Sequence, residues 1–216
     1  MKDFILNWNQ KRILRKVDFL KKDGFHLAGG TALALYLGHR TSKDLDFYTE
    51  KQFNALKIIQ NFKKILGKKV KKPKRAEDTL WLDIKNTNLS FFKYPYKLIK
   101  PLTTYSAVKI ASLEDIAAMK IEAIISRGTK RDFIDIYYLM KKFGLKKLLK
   151  FTQEKYREAF NEMNCLHALL YFKDAEVPQK DRKKMYLYEN IDWKEIKEYI
   201  ENEVKKYQIS LIKKYL

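Results

Sequence analysis

The sequence predicts an α+β protein, a small mixed sheet with helices in its first half and a helical bundle in its second. Two observations carry this reading. The β-prone runs lie before about residue 110, and beyond Ser112 the apolar residues recur at helical spacing. The chain is therefore read as two domains, 1–110 and 111–216, with no Gly/Ser linker at the boundary.

Taken in order, Leu14, Val17 and Leu20 recur at helical spacing and Gly24 stands where a C-terminal cap belongs, so a first helix is expected to end near Lys22. Residues 25–28 form a short apolar run ending in Gly29-Gly30, and 31–37 are rich in Ala and Leu, which reads as strand, turn and helix. Gly38 ends that helix. Leu45 and Phe47 then alternate with Asp44, Asp46 and Tyr48, the pattern of a strand whose two aspartates share one face. Phe53, Leu56, Ile59, Phe62 and Leu66 predict an amphipathic helix closed by Gly67. Two further strands, Thr79–Ile84 and 89–94, are separated by Asn86-Thr87-Asn88, a hairpin signal. A Ser112/Asp115 capping box opens the second half, with helices over 116–126, 132–143, 152–172 and 192–207.

Hydrophobic residues make up 46% of the 216 and charged residues 33%, a composition that excludes a disordered chain. The apolar runs are too short or too interrupted to span a membrane, and the N-terminus lacks the apolar core of a secretory signal, so the expected location is the cytoplasm. A single cysteine, Cys165, excludes an intrachain disulfide, and His26, His39 and His167 are scattered without zinc-ligand spacing. The net charge of +20 makes polyanions the natural partners, nucleic acid first among them. That charge is densest over 63–75, KKILGKKVKKPKR, which reads either as a phosphate-contacting patch or as a solvated linker.

The period of two along Asp44-Leu45-Asp46 sends both carboxylates one way while Leu45 enters the core, and paired carboxylates are the hard oxygen donors that magnesium takes. Upstream, Gly29 and Gly30 permit close backbone approach to a phosphate, the helix N-terminus presents unpaired N–H groups, and Thr31 offers a hydroxyl. Arg40, after the first helix of this unit, reads equally as a phosphate contact or as a solvated side chain. Strand, Gly-Gly-Thr, helix, loop and a strand with Asp-x-Asp form the order that a polymerase-β-like site requires.

The stretch FHLAGGTALALYLGHRTSKDLDFYT resembles the AbiEii/AbiGii toxin nucleotidyltransferases, and LSFFKYPYKLI, SLEDIAAMKIEAIISRGTKRDFIDIYYLMKKFG and HALLYFKDAEVP are similar to later blocks of that family, so the resemblance covers 25–193. It implies a minimal polymerase-β-like nucleotidyltransferase domain followed by a helical bundle. It implies Asp44 and Asp46 as ligands of Mg2+ or Mn2+, Gly30 and Thr31 as phosphate-binding beside Gly29, and Lys120 as a triphosphate contact. Asp132 and Asp135, in KRDFIDIYYL, match the family's later acidic motif and would position the acceptor, ligate metal or act as base. The implied reaction moves an NMP from an NTP to an acceptor, with RNA, especially a tRNA end, in that role and a separate antitoxin as partner. A small-molecule or protein acceptor is one alternative, and a non-catalytic nucleic-acid-binding relative is another. One departure stands out: Ser90 occupies the strand position where many such enzymes carry a third carboxylate, leaving Asp83 or Asp132 to supply it.

Overall fold

The computed structural model describes residues 1–67, 70–177 and 185–213, the side chains at 71 and 72 excepted. Its chain falls into two units, Met1–Ser112 and Leu113–Leu216.

In the first unit, β1 (His26–Ala28), β2 (Leu45–Thr49), β3 (Val70–Ala76), β4 (Thr79–Ile84), β5 (Thr87–Lys93), β6 (Thr103–Tyr105) and β7 (Val108–Ile110) form one mixed sheet in the order β3-β4-β5-β2-β1-β7-β6. The pairs β2–β5 and β1–β7 are parallel and the others antiparallel. Alternation along the strands buries Leu45, Phe47, Leu80, Leu82, Leu89 and Phe91, and each such side chain contributes about 1.5–3 kcal/mol. Against this face packs α3 (Ala55–Leu66), which Asn54 caps and whose Ile58, Ile59, Phe62 and Leu66 recur at helical spacing; the rings of Phe62 and Phe91 lie 5.9 Å apart. The opposite face carries Asp44, Asp46, Trp81, Asp83, Asn88 and Ser90.

Four local expectations are corrected in these units. The helix predicted to run to Lys22 is α1 (Trp8–Leu14) followed by a separate 3-10 turn, Asp18–Asp23, with Gly24 in the left-handed conformation as its cap. The break after Arg15 frees the Leu14 carbonyl to accept from the backbone N–H of Ala107, and Leu14, Val17 and Leu20 are all buried despite it.

The basic tract is no linker. Residues 63–66 close α3, and 70–75 lie in β3, the edge strand; Lys68 and Lys69 lie outside the described residues. Lysines and Pro73 are what a protected sheet edge carries, and a register shift between Lys71 and Lys74 absorbs the proline. The hairpin β4–β5 turns on Lys85 and Asn86, both at positive φ, so Thr87 and Asn88 belong to β5.

The second unit is helical: α4 (Leu113–Arg127), α5 (Lys130–Phe143), α6 (Leu145–Tyr156), α7 (Glu162–Leu170), α8 (Lys173–Glu176) and α9 (Trp193–Ile212). Its core is drawn from Ile116, Ile121 and Ile124 of α4, Phe133 and Ile136 of α5, Leu148 of α6, Leu166 of α7 and Ile200 of α9. The single helix predicted over 152–172 is divided at Arg157, whose φ of 47° ends α6, and Asn161 caps α7 anew. Cys165 is buried there, and burial pushes its thiol up to about 11.

Candidate active site

The two aspartates are placed by β2 and the loop before it. Leu45 and Phe47 are buried, so the residues between and before them face the other way, and Asp44 and Asp46 open together on a cavity of about 620 Å3. One row of paired residues crosses five strands beneath that cavity: Ala28 faces Asp46, Asp46 faces Ser90, Ser90 faces Trp81, and Trp81 faces Lys74. Asp46, Ser90, Trp81 and Lys74 of this row line the cavity, and Asp44, Asp83 and Asn88 of the next row join them.

At the β1 end of the row stands the N-terminus of α2 (Gly29–Leu37). The helix begins directly at Gly29 with no separate turn, because Gly29 adopts φ +66° as the chain leaves β1. A Cβ on Gly29 would lie 2.9 Å from Oδ2 of Asp46, and one on Gly30 would lie 2.5 Å from Nη2 of Arg40. The two glycines therefore let a carboxylate and a guanidinium approach the first turn of a helix, whose leading N–H groups have no partner within the helix and whose dipole favours an anion. Arg40 is buried, and its Nη1 donates to the Thr41 carbonyl at 3.0 Å.

Thr31 has a different task from the one expected. It is buried, and its hydroxyl bonds to Oγ of Ser42 at 2.7 Å and to the backbone carbonyl of Asp44. A side chain so enclosed holds the loop from Ser42 to Asp44 in place, and the anion-facing groups of this turn are backbone N–H groups. Two further pins were not legible in advance. Gln10, fully buried, closes a capping box with Asn7 and donates from Nε2 to the Ser42 carbonyl at 2.9 Å; Asn88 donates from Nδ2 to Oδ1 of Asp44 at 2.9 Å.

In the second unit Lys120, expected as a triphosphate contact, is engaged by two carboxylates. It is buried, and its Nζ lies 3.0 Å from Oδ1 of Asp132 and 2.6 Å from Oδ2 of Asp135. Asp132 also accepts from Arg127 through Nε at 2.9 Å and Nη2 at 3.0 Å, and from the Thr129 hydroxyl at 2.6 Å. Burial alone would raise the Asp132 carboxyl, yet the charges of Lys120 and Arg127 and these hydrogen bonds outweigh it and hold the group well below the usual carboxylate range. A carboxylate so stabilised is a poor proton acceptor near neutral pH. Asp115, expected as the far member of a capping box, is buried and accepts from Lys155 at 2.7 Å.

The model of the family described as nucleotidyl transferase AbiEii toxin, type IV TA system, matches residues 12–110 and 93–208. The chain belongs to this AbiEii family. It is 36% identical over 211 residues to an uncharacterized protein of Aquifex aeolicus (strain VF5), covering 94% of this chain and 97% of that protein. Among solved structures it is similar to a putative nucleotidyltransferase from H. pylori, with a TM-score of 0.59, 18% identity and coverage of 96% and 98% of the two chains. It is also similar to MenT4, a nucleotidyltransferase toxin from Mycobacterium tuberculosis H37Rv, with a TM-score of 0.53, 12% identity and coverage of 90% and 80%. At those identities the structures speak for the mixed α+β fold, and the family match makes this chain a nucleotidyltransferase.

For an AbiEii-family site the donor set is spare. Ser90 sits beside Asp46 on β5 and offers a hydroxyl, while Asp83 reaches the same cavity from β4. Asp83 pairs with Asn88 on β5, which puts its backbone two strand spacings, about 10 Å, from the β2 aspartates. Its Oδ1 accepts from the backbone N–H of Asn86 at 3.2 Å. Among the described residues no group of three or more His, Cys, Asp or Glu side chains is arranged to hold a metal. Two carboxylates facing an open cavity fit a single magnesium or manganese ion, which takes its remaining ligands from water and phosphate. The members of the cavity that sequence reasoning missed are Lys74, hidden in the basic tract, Asn88, which a strand period counted from Ser90 could have placed, and Trp81, which one counted from Asp83 could have placed.

Proposed function

We propose that this nucleotidyltransferase moves a nucleoside monophosphate from an NTP to the end of an RNA, a tRNA in particular, with Asp44 and Asp46 holding one Mg2+ or Mn2+ ion. The single observation that carries this is the approach of Gly29 to Asp46, which sets an anion-binding helix N-terminus against a metal-fitting carboxylate. Residues 1–110 form the nucleotidyltransferase domain in this reading, and 111–216 the helical bundle.

The leading N–H groups of α2 at Gly29 and Gly30 receive the outer phosphates, and buried Arg40 adds positive charge beside them. Thr31, Gln10 and Asn88 hold Asp44 in place through the hydrogen bonds described above. The bound metal would neutralise phosphate charge and acidify the attacking hydroxyl. The acceptor hydroxyl oxygen forms a bond to the α-phosphorus, the bond to the bridging oxygen breaks, pyrophosphate leaves, and the hydroxyl proton passes to water in the open cavity. Lys120 and Asp132 enter as one buried ion cluster, with Asp135, that shapes the helical domain and supplies neither a free cation nor a base.

An RNA acceptor agrees with the net charge of +20, and the family's toxin description supports a neutralising antitoxin as partner and a cytoplasmic site of action. Among the described residues no helix is long and apolar enough to cross a membrane. The test is incubation of the protein with each labelled NTP in turn, with and without total RNA, in magnesium, manganese or a chelator. Label should enter RNA only when a divalent ion is present. Transfer in chelator, or transfer independent of RNA, would overturn the reading.

A further inference from the structure

Trp81 is the feature of the open sheet face that the reading above does not use. Its neighbours on that face are otherwise self-contained: Tyr48 stacks on Phe92 at 5.1 Å and meets the edge of Tyr94 at 5.4 Å, and Tyr94 packs on Tyr96 at 5.0 Å. Trp81 lies in the row that starts at Asp46, remains 40% exposed, and lines the cavity. Its cross-strand partner on the edge strand is Lys74, itself exposed and lining the same cavity. An aromatic face beside a cation is the unit by which proteins hold single-stranded nucleic acid, the ring taking a base and the cation a phosphate.

Direction decides which substrate lies there. In an in-line displacement the entering and leaving oxygens stand on opposite sides of the phosphorus. With the outer phosphates at the α2 N-terminus, on the β1 side of Asp46, pyrophosphate leaves toward β1 and the acceptor hydroxyl must come from the β5 side. That side of the row is Ser90, Trp81 and Lys74. Two strand spacings separate Asp46 from Trp81, about 10 Å, and three separate it from Lys74. The first is the reach of one nucleoside from its hydroxyl to its base.

We propose that the Trp81–Lys74 pair is the acceptor subsite: the terminal base of a single-stranded RNA end stacks on Trp81 while the preceding phosphate meets Lys74. Ser90, between them and Asp46, is then the uncharged step of the row along which the polyanion runs, with Asp83 in the row beside it. The assignment rests on the proposed transfer reaction for its direction, and on the exposed ring and cation for its chemistry.

The experiment uses the full chain as wild type, Trp81→Ala, Trp81→Phe and Lys74→Ala. Fluorescence anisotropy reads binding of a labelled single-stranded RNA without NTP, and steady-state transfer reads KM for RNA and for NTP separately. Trp81→Ala should weaken RNA binding, and raise KM for RNA, about tenfold or more, with KM for NTP unchanged and Trp81→Phe restoring most of the loss. Lys74→Ala should reduce the slope of log affinity against log salt by about 0.7, one phosphate contact on a single strand. RNA binding by Trp81→Ala within about twofold of wild type, well under the loss expected of a stacked base, overturns the proposal. So does a rise in KM for NTP alone, which would place the nucleotide's own base on Trp81. A wild type that binds RNA but transfers nothing to it would instead overturn the proposed reaction, and the binding measurements would still decide the role of Trp81.

Discussion

A side chain on Gly29 would bring its Cβ to 2.9 Å from Oδ2 of Asp46, closer than real Cβ atoms come. Helix and carboxylate occupy adjacent space because that residue has no side chain, and its φ of +66° independently disfavours any other. Gly29→Ala should therefore cost about 1–2 kcal/mol in denaturant unfolding through backbone conformation alone. It should also abolish label transfer, by displacing Asp46. Retention of both stability and transfer would show that this approach is not tight.

Thr31 tests whether the loop before β2 is held by one hydroxyl. Thr31→Val keeps the shape but leaves the partners at Ser42 and Asp44 without it, which should destabilise the protein by about 1–3 kcal/mol and slow transfer. Thr31→Ser keeps the hydroxyl and should behave nearly as wild type. Equal transfer rates for the two variants would contradict a positioning role.

Lys120 compensates Asp132 and Asp135 inside the helical unit. Lys120→Met leaves those carboxylates buried without it and should cost about 3–5 kcal/mol in urea unfolding. Lost activity in such a variant would thus report on the fold of the unit, and by itself would not place Lys120 at a triphosphate. A stability change below about 1 kcal/mol would be inconsistent with a buried pair and would return Lys120 to the role of a nucleotide contact.

Asp132 sets an acid limit. Its folded carboxyl is held below the unfolded value of about 3.9, so its contribution is fully present above that value and is lost as the pH falls below it toward the folded pKa. Wild type should lose unfolding free energy more steeply than Asp132→Asn between about pH 4 and 2, although the variant is less stable at pH 7. Parallel pH profiles for the two would refute the depressed carboxyl.

The parts of the fold that the sequence revealed are those governed by short-range periodicity. Asp44 and Asp46 share a face because Leu45 and Phe47 must be buried, and α3 was readable from Ile59, Phe62 and Leu66. β3 was hidden because an edge strand made of lysines and Pro73 has none of the β-branched or aromatic residues by which strands are recognised. The partners of Thr31, Gln10 and Lys120 lie 11 to 32 residues away in sequence, and no local pattern encodes such pairings. The pairing of Lys120 was hidden because both of its carboxylates stand on α5.

In the proposed reaction Asp46 holds the metal at which the nucleoside monophosphate is transferred. The most direct test is the rate of label transfer from NTP to RNA by Asp46→Asn at saturating NTP and manganese, alongside an unfolding curve. The substitution keeps the shape and removes the charge, so transfer should fall by about a hundredfold or more with the fold intact. Transfer within about threefold of wild type, far short of the loss expected when a metal-binding charge is removed, would contradict the account.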